Sequence, residues 1–118
     1  MTPQLSPANF NTWLQALPSG AKPPVVLDVR EPWEIQTASV QEDGFSLMCI
    51  PMREVPARLA QLQEDLPVDH PIACLCHHGM RSLQVANYLA QNGYTEVVNV
   101  QGGIAAWSAQ RDTSVPTY

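Results

Sequence analysis

Apolar residues recur along the chain in two alternating patterns, short continuous runs and longer stretches with helical spacing. A short run of consecutive apolar residues, without polar alternation and rich in β-branched residues, indicates a strand that is buried on both faces of a sheet. Apolar positions three and four residues apart indicate helices between them. The runs read PPVVLDVR, SLMCIPM, HPIACLC and TEVVNV.

Start and stop residues mark the predicted helices. The first begins with Ser6 as N-cap and Pro7 as its first residue, and it is closed by Pro18 and Gly20. The fourth begins at Ser82 and ends at the Asn-Gly stop. In chain order the helical segments read LSPANFNTWLQAL, EPWEIQTA, EVPARLAQLQEDL, SLQVANYLAQNG and IAAWSAQ.

Strands that alternate with helices predict an α/β fold with a parallel sheet. Parallel neighbours need crossover connections, and right-handed crossovers place helices on both faces of the sheet. A chain of 118 residues suits one domain. We therefore expect a single three-layer domain over residues 1–118, with a mostly parallel sheet of four to five strands, and a loose tail at residues 112–118.

Charge and composition limit the classes of binding partner and the cellular location that we expect for the protein. Six Lys and Arg residues stand against eleven Asp and Glu residues, a net charge of -5, which gives no electrostatic basis for binding nucleic acid or an anionic membrane. No apolar run approaches the roughly 20 residues of a membrane span, and the start of the chain lacks a secretory pattern. Three cysteines suit a reducing compartment. These features predict a cytoplasmic protein.

The candidate chemistry lies in the stretch CLCHHGMRS, between the third strand and the fourth helix. Ligands of open α/β sheets bind at the carboxyl ends of the strands, where Cys76 stands. Gly79 can turn the backbone so that successive amides converge on the sulfur. The helix N-terminus and Arg81 add positive charge. The pattern predicts a reactive Cys76 thiolate.

Three segments together resemble single-domain members of the rhodanese family of sulfurtransferases. They are LDVREPWE at residues 27–34, CHHGMRS at residues 76–82 and VVNVQGGIAAW at residues 97–107. The resemblance implies the rhodanese-like fold and a Cys76 persulfide that moves sulfur from thiosulfate or a polysulfide to cyanide or a thiol, which a partner protein can carry. We expect no cofactor and no metal. The active-site loop would comprise His77, His78, Gly79, Met80, Arg81 and Ser82, supported by Asp28 and Arg30.

Other interpretations remain open for these residues. A protein-interaction module could keep the fold without catalysis. The cysteine phosphatases and arsenate reductases use a related loop, but the phosphatase loop holds one residue more between Cys and Arg than the four found here. Residues 35–52 depart from the family's usual sequence after its first motif. Arg30 could instead form a surface salt bridge with Glu31, and Cys49 and Cys74 are expected in the core.

Both histidines of the loop also have two interpretations. His77 and His78 could move protons or act as pH-dependent cations, since imidazole titrates near neutrality. Alternatively they are solvated loop residues, the interpretation favoured for at least one of them. A zinc site is disfavoured, because Cys74, Cys76, His77 and His78 show none of the usual ligand spacings.

Overall fold

The computed structural model describes residues 2–18 and 22–118. Its strands are β1 (Gln4–Leu5), β2 (Val25–Asp28), β3 (Ser46–Cys49), β4 (Ile72–Leu75) and β5 (Val97–Val100). Its helices are α1 (Phe10–Ala16), α2 (Pro32–Thr37), α3 (Val55–Asp65), α4 (Met80–Gln91) and α5 (Gly103–Gln110).

All five strands form one parallel sheet in the order β1-β5-β4-β2-β3. This confirms the predicted α/β fold class and the parallel sheet. The four apolar runs of the sequence supply β2 to β5. Strand β1 was missed, because it has only two residues, of which Gln4 is exposed, and so leaves no periodic signal.

Alternate residues of the strands feed two separate apolar cores, one on each face of the sheet. Helices α3 and α4 cover one face, where Leu27 and Cys74 contribute. Helices α1 and α5 cover the other, where Val26 and Leu75 contribute. Helices therefore lie on both faces, as predicted from the crossover rule.

Two helix boundaries differ from the prediction. The first helix is preceded by a 3₁₀ turn at Pro7–Asn9, and the predicted stop at Gly20 lies outside the described residues. Helix α4 begins at Met80 rather than Ser82, because Gly79 takes a left-handed conformation with φ of 99° and caps the helix there. Among the described residues, no helix combines the length and the apolar content that a bilayer crossing requires.

The segment 35–52, which departs from the family sequence, is an ordered part of the sheet. It contributes the end of α2 and the edge strand β3. Backbone bonds from Ile50 N to Asp28 O, at 3.0 Å, and from Met52 N to Val29 O, at 2.9 Å, continue the pairing beyond the strand.

The segment 112–118 packs on the domain, so the prediction of a loose tail was wrong. Val115 is 3% exposed within the α1 and α5 core. The Ser108 hydroxyl donates to the Val115 carbonyl at 2.7 Å. Burial of one apolar side chain and the hydrogen bonds of Tyr118 hold the segment in place, which its polar composition did not indicate.

Candidate active site

Cys76 lies directly after β4, at the carboxyl edge of the sheet, and it is 1% exposed. Its Sγ accepts a hydrogen bond from the Gly79 backbone N–H at 3.1 Å. The Ser82 hydroxyl lies 3.2 Å from the same sulfur. The sequence predicted several converging amides, but within the described part of the chain Gly79 supplies the one backbone N–H that reaches Sγ.

The turn after Cys76 requires glycine at position 79. Its φ of +99° lies in the left-handed region, where other residues are strained. A Cβ there would also lie 3.2 Å from the backbone nitrogen of Gly102. The turn at Gly79 therefore lies close to the turn at Gly102, and the segment after β5 packs against the Cys76 loop.

The first turn of α5 supports the outer side of this loop. Ile104 N donates to the Cys76 carbonyl at 2.8 Å, and Ala105 N donates to the His77 carbonyl at 3.2 Å. A side chain at Gly103 would overlap both carbonyl groups. The QGG segment therefore lets the first turn of α5 pack directly against the backbone of the Cys76 loop.

Ser82 and Asn99 form a buried pair behind the sulfur. The Asn99 amide nitrogen donates to the Gly79 carbonyl at 3.1 Å, which orients its Oδ1 toward Ser82 at 2.6 Å. An amide oxygen only accepts, so the single hydroxyl proton of Ser82 is donated to Asn99. Toward Cys76, Ser82 then presents a lone pair, which accepts a thiol proton. Turning that hydroxyl toward a thiolate requires breaking its bond to Asn99.

Arg81 is held by Glu34, which the sequence did not indicate. The bonds to Glu34 and, more weakly, the nearby Cys76 raise the pKa of Arg81. Its two terminal nitrogens each lie 2.8 Å from an oxygen of the Glu34 carboxylate. The Glu34 side chain is 4% exposed and that of Arg81 is 36% exposed. The bond to Arg81 lowers the pKa of Glu34 to about 2, so this carboxylate is ionised at neutral pH.

Asp28 and Arg30 form a fully buried ion pair, with Nη2 and Oδ2 2.7 Å apart. This excludes the surface salt bridge between Arg30 and Glu31. Arg30 also donates to the Tyr118 hydroxyl at 2.9 Å, and that hydroxyl donates to Glu34 at 2.9 Å. Asp28 and Arg30 thus connect to the loop through Glu34 and Arg81, rather than through the sulfur.

The loop histidines stack at the surface of the site. The His77 ring lies 3.9 Å from the Tyr118 ring at an interplanar angle of 7°, and 3.9 Å from the His78 ring on its other side. Burial, and then the neighbouring His78, lower the pKa of His77. Met80 is 72% exposed and contributes an apolar surface to the loop.

The other two cysteines have different environments. Cys74 is fully buried, and burial, with a smaller effect of Cys76, raises the pKa of its thiol. Cys49 is exposed on the edge strand β3, so its predicted place in the core was wrong. Cys49 is the last residue of β3, and neither of the two apolar cores on the faces of the sheet includes it. Among the described residues, no group of three or more His, Cys, Asp and Glu side chains is placed to hold a metal.

Sequence reasoning assigned no role to Glu34, Asn99, Gly103 and Tyr118. Signals existed for three of them. Glu34 lies three residues after Glu31, the spacing of a capping box, which the structure contains. Asn99 is the one polar residue in an apolar strand, and Gly103 is the second glycine of a pair. Tyr118 had no local signal.

Known proteins give an independent comparison. The family model for the rhodanese-like domain matches residues 10–110. A thiosulfate sulfurtransferase, GlpE, of Pseudoalteromonas translucida is 32% identical over 85 residues, which cover 72% of this chain and 73% of the relative. The rhodanese-like/PpiC domain-containing protein 12, chloroplastic, of Arabidopsis thaliana is 40% identical over 93 residues, 79% of this chain, but the match spans only 30% of that protein.

Solved structures agree with this comparison. The crystal structure of a rhodanese-like domain protein from Staphylococcus aureus superposes with a TM-score of 0.72 at 25% identity, covering 99% of both chains. Sequence and fold therefore lead to one assignment. The chain belongs to the rhodanese-like domain family.

Proposed function

We propose that the protein is a sulfurtransferase or sulfur carrier, and that Cys76 is its nucleophile. One observation carries this proposal: the Cys76 sulfur lies in a turn at the carboxyl edge of the sheet, where the Gly79 amide donates to it at 3.1 Å. A hydrogen bond of this kind stabilises a sulfur anion. The membership of the family, which includes a relative named thiosulfate sulfurtransferase, supports it.

The reaction has two displacements at sulfur. The Cys76 thiolate attacks the outer sulfur of a donor such as R–S–SH, a new S–S bond forms, and the donor leaves as R–S⁻. Loss of the remaining proton gives the persulfide anion of Cys76. An acceptor thiolate or cyanide then attacks the outer sulfur, takes it as a persulfide or thiocyanate, and restores the Cys76 thiolate.

The groups around Cys76 suit such an anion. Helix α4 starts four residues after Cys76, and the positive end of its dipole lies beside the loop. The Gly79 amide is positioned by the left-handed turn, so no rearrangement is needed to form its bond. Ser82 can turn its proton toward the sulfur by releasing Asn99.

Intact-mass measurement tests the proposal. After incubation with a polysulfide, the protein is expected to gain about 32 Da, one sulfur atom, and the gain is expected to disappear on addition of cyanide. Cys76→Ala is expected to lose this gain. Cys49→Ala, the matched control at an exposed cysteine, is expected to retain it. A gain that survives in Cys76→Ala would contradict the proposal.

A non-catalytic interaction module is the second candidate, and one observation favours it. Cys76 is 1% exposed, so its thiol is almost entirely covered in this conformation, as a residue without a catalytic role can be. For such a module, the wild-type protein would stay unmodified with every donor tried. A phosphatase or arsenate reductase is less well supported, because Arg81, which a bound oxyanion would need, is engaged by Glu34.

A further inference from the structure

The cations of this domain are almost all paired with carboxylates within it. Each of the five arginines has a carboxylate oxygen within 4.0 Å. The one lysine of the chain, Lys22, precedes β2 and lies toward the amino edge of the sheet, opposite the Cys76 loop. The loop therefore has no uncompensated Lys or Arg with which to attract an anion.

Glu34 compensates the positive charge of Arg81, the arginine of the loop. Both of its oxygens accept from Arg81, and each has a second donor: Tyr118 to Oε1 at 2.9 Å and the Glu31 amide to Oε2 at 2.9 Å. Four hydrogen bonds on a nearly buried carboxylate make a fixed, fully ionised partner. Arg81 cannot turn toward a substrate without breaking a two-point ion pair.

The other residues of the rim, His77, His78 and Met80 of the loop and Trp33 beside Glu34, include no Lys or Arg. His77 is stacked between two rings, and burial lowers its pKa, which favours the uncharged imidazole. Met80, in the loop, is 72% exposed, and Trp33, beside Glu34 in α2, is 62% exposed. Such a rim offers contact area to an organic group, whereas a dianion would find no Lys or Arg there that is free of a carboxylate partner.

From this arrangement we infer that the sulfur donor is an organic hydropersulfide or polysulfide of low charge rather than thiosulfate, and that Glu34 determines this preference by neutralising Arg81. The inference rests on the proposed function. Thiosulfate carries two negative charges to the sulfur and leaves as sulfite, also a dianion. A simple organic hydropersulfide carries at most one charge, and its carbon chain can contact an exposed apolar side chain such as Met80.

The test compares the loading rates of Cys76 by thiosulfate and by 2-hydroxyethyl hydropersulfide. The wild-type protein is expected to prefer the hydropersulfide. Glu34→Gln frees the Arg81 charge and is expected to raise the thiosulfate rate, relative to the hydropersulfide rate in the same variant, about 10-fold. The matched control Glu31→Gln frees Arg53, a surface arginine 3.0 Å from Glu31, and is expected to leave the ratio unchanged.

Salt dependence gives a second test that needs no variant. Screening weakens repulsion, so added salt is expected to accelerate thiosulfate loading of the wild-type protein and to change the hydropersulfide rate less. Equal loading by both donors, a thiosulfate rate that falls with salt, or an unchanged ratio in Glu34→Gln would overturn this inference alone. If neither donor loads Cys76, the proposed function fails, and the inference fails with it.

Discussion

Gly103 is the position where a single added methyl group should do most damage to the candidate site. A Cβ built there would lie 2.5 Å from the His77 carbonyl carbon and would overlap the carbonyl oxygens of Cys76 and His77. These are backbone atoms, which cannot move aside as a flexible side chain can. Gly103→Ala must therefore displace either the Cys76 loop or the first turn of α5.

The structure gives the size of the effect. The φ of +62° at Gly103 costs an L-residue about 1–2 kcal/mol. Relief of the overlap with the two carbonyl groups adds about 1–3 kcal/mol, as for other overpacked sites. We expect the free energy of unfolding to fall by about 2–5 kcal/mol in Gly103→Ala. Since the bond from Ile104 N to Cys76 O lies at this contact, the rate of sulfur loading should fall as well.

Gly44→Ala is the matched control for backbone strain. Gly44 has a φ of +80°, but a Cβ there would meet only Leu14 Cδ1, at 3.5 Å, an ordinary contact. Its expected loss is about 1–2 kcal/mol, with sulfur loading unchanged. Urea denaturation followed by circular dichroism, together with loading rates, compares the two variants. Equal losses of stability and unchanged loading in both would refute the reasoning.

Two further predictions concern the network around Arg81. The pKa of Glu34 is lowered from its ordinary 4.5 to about 2, so its contribution to stability is complete above pH 4.5 and is lost as the pH falls toward 2. The wild-type protein is expected to lose about 3 kcal/mol more over that range than Glu34→Gln, measured by urea denaturation at each pH, and parallel curves would contradict this. Tyr118→Phe removes a hydroxyl shared by Arg30 and Glu34 and should lower the free energy of unfolding by about 1–2 kcal/mol. Tyr88→Phe, whose hydroxyl lies outside this network, is the control, and equal stabilities would count against the ordered position of the tail.

Much of the fold could be predicted from the sequence, because its signals are local. Four apolar runs and the helical spacing between them determine which elements form, and the crossover rule then requires a parallel sheet covered on both faces. The position of Cys76 at a strand end follows from the same pattern. Gly79, with its φ of +99°, shows the same principle, since only glycine adopts that turn without strain.

Contacts between distant segments could not be predicted in this way. Arg81 and Glu34 are 47 residues apart and Tyr118 is 84 residues from Glu34, so no spacing along the chain relates them. The sequence pattern therefore predicted Arg81 as an unpaired cation. Its ion pair with Glu34 forms only when the fold brings the two residues together. The edge position of Cys49 likewise depends on strand order, which the sequence did not supply.

The sequence by itself determined the elements, their alternation and the identity of the sulfur at the strand end, since each depends on residues within one turn or one strand. The tertiary structure decided the charge of the site. Whether an arginine acts on a substrate or is neutralised depends on which carboxylate folding places beside it, and here that carboxylate is Glu34.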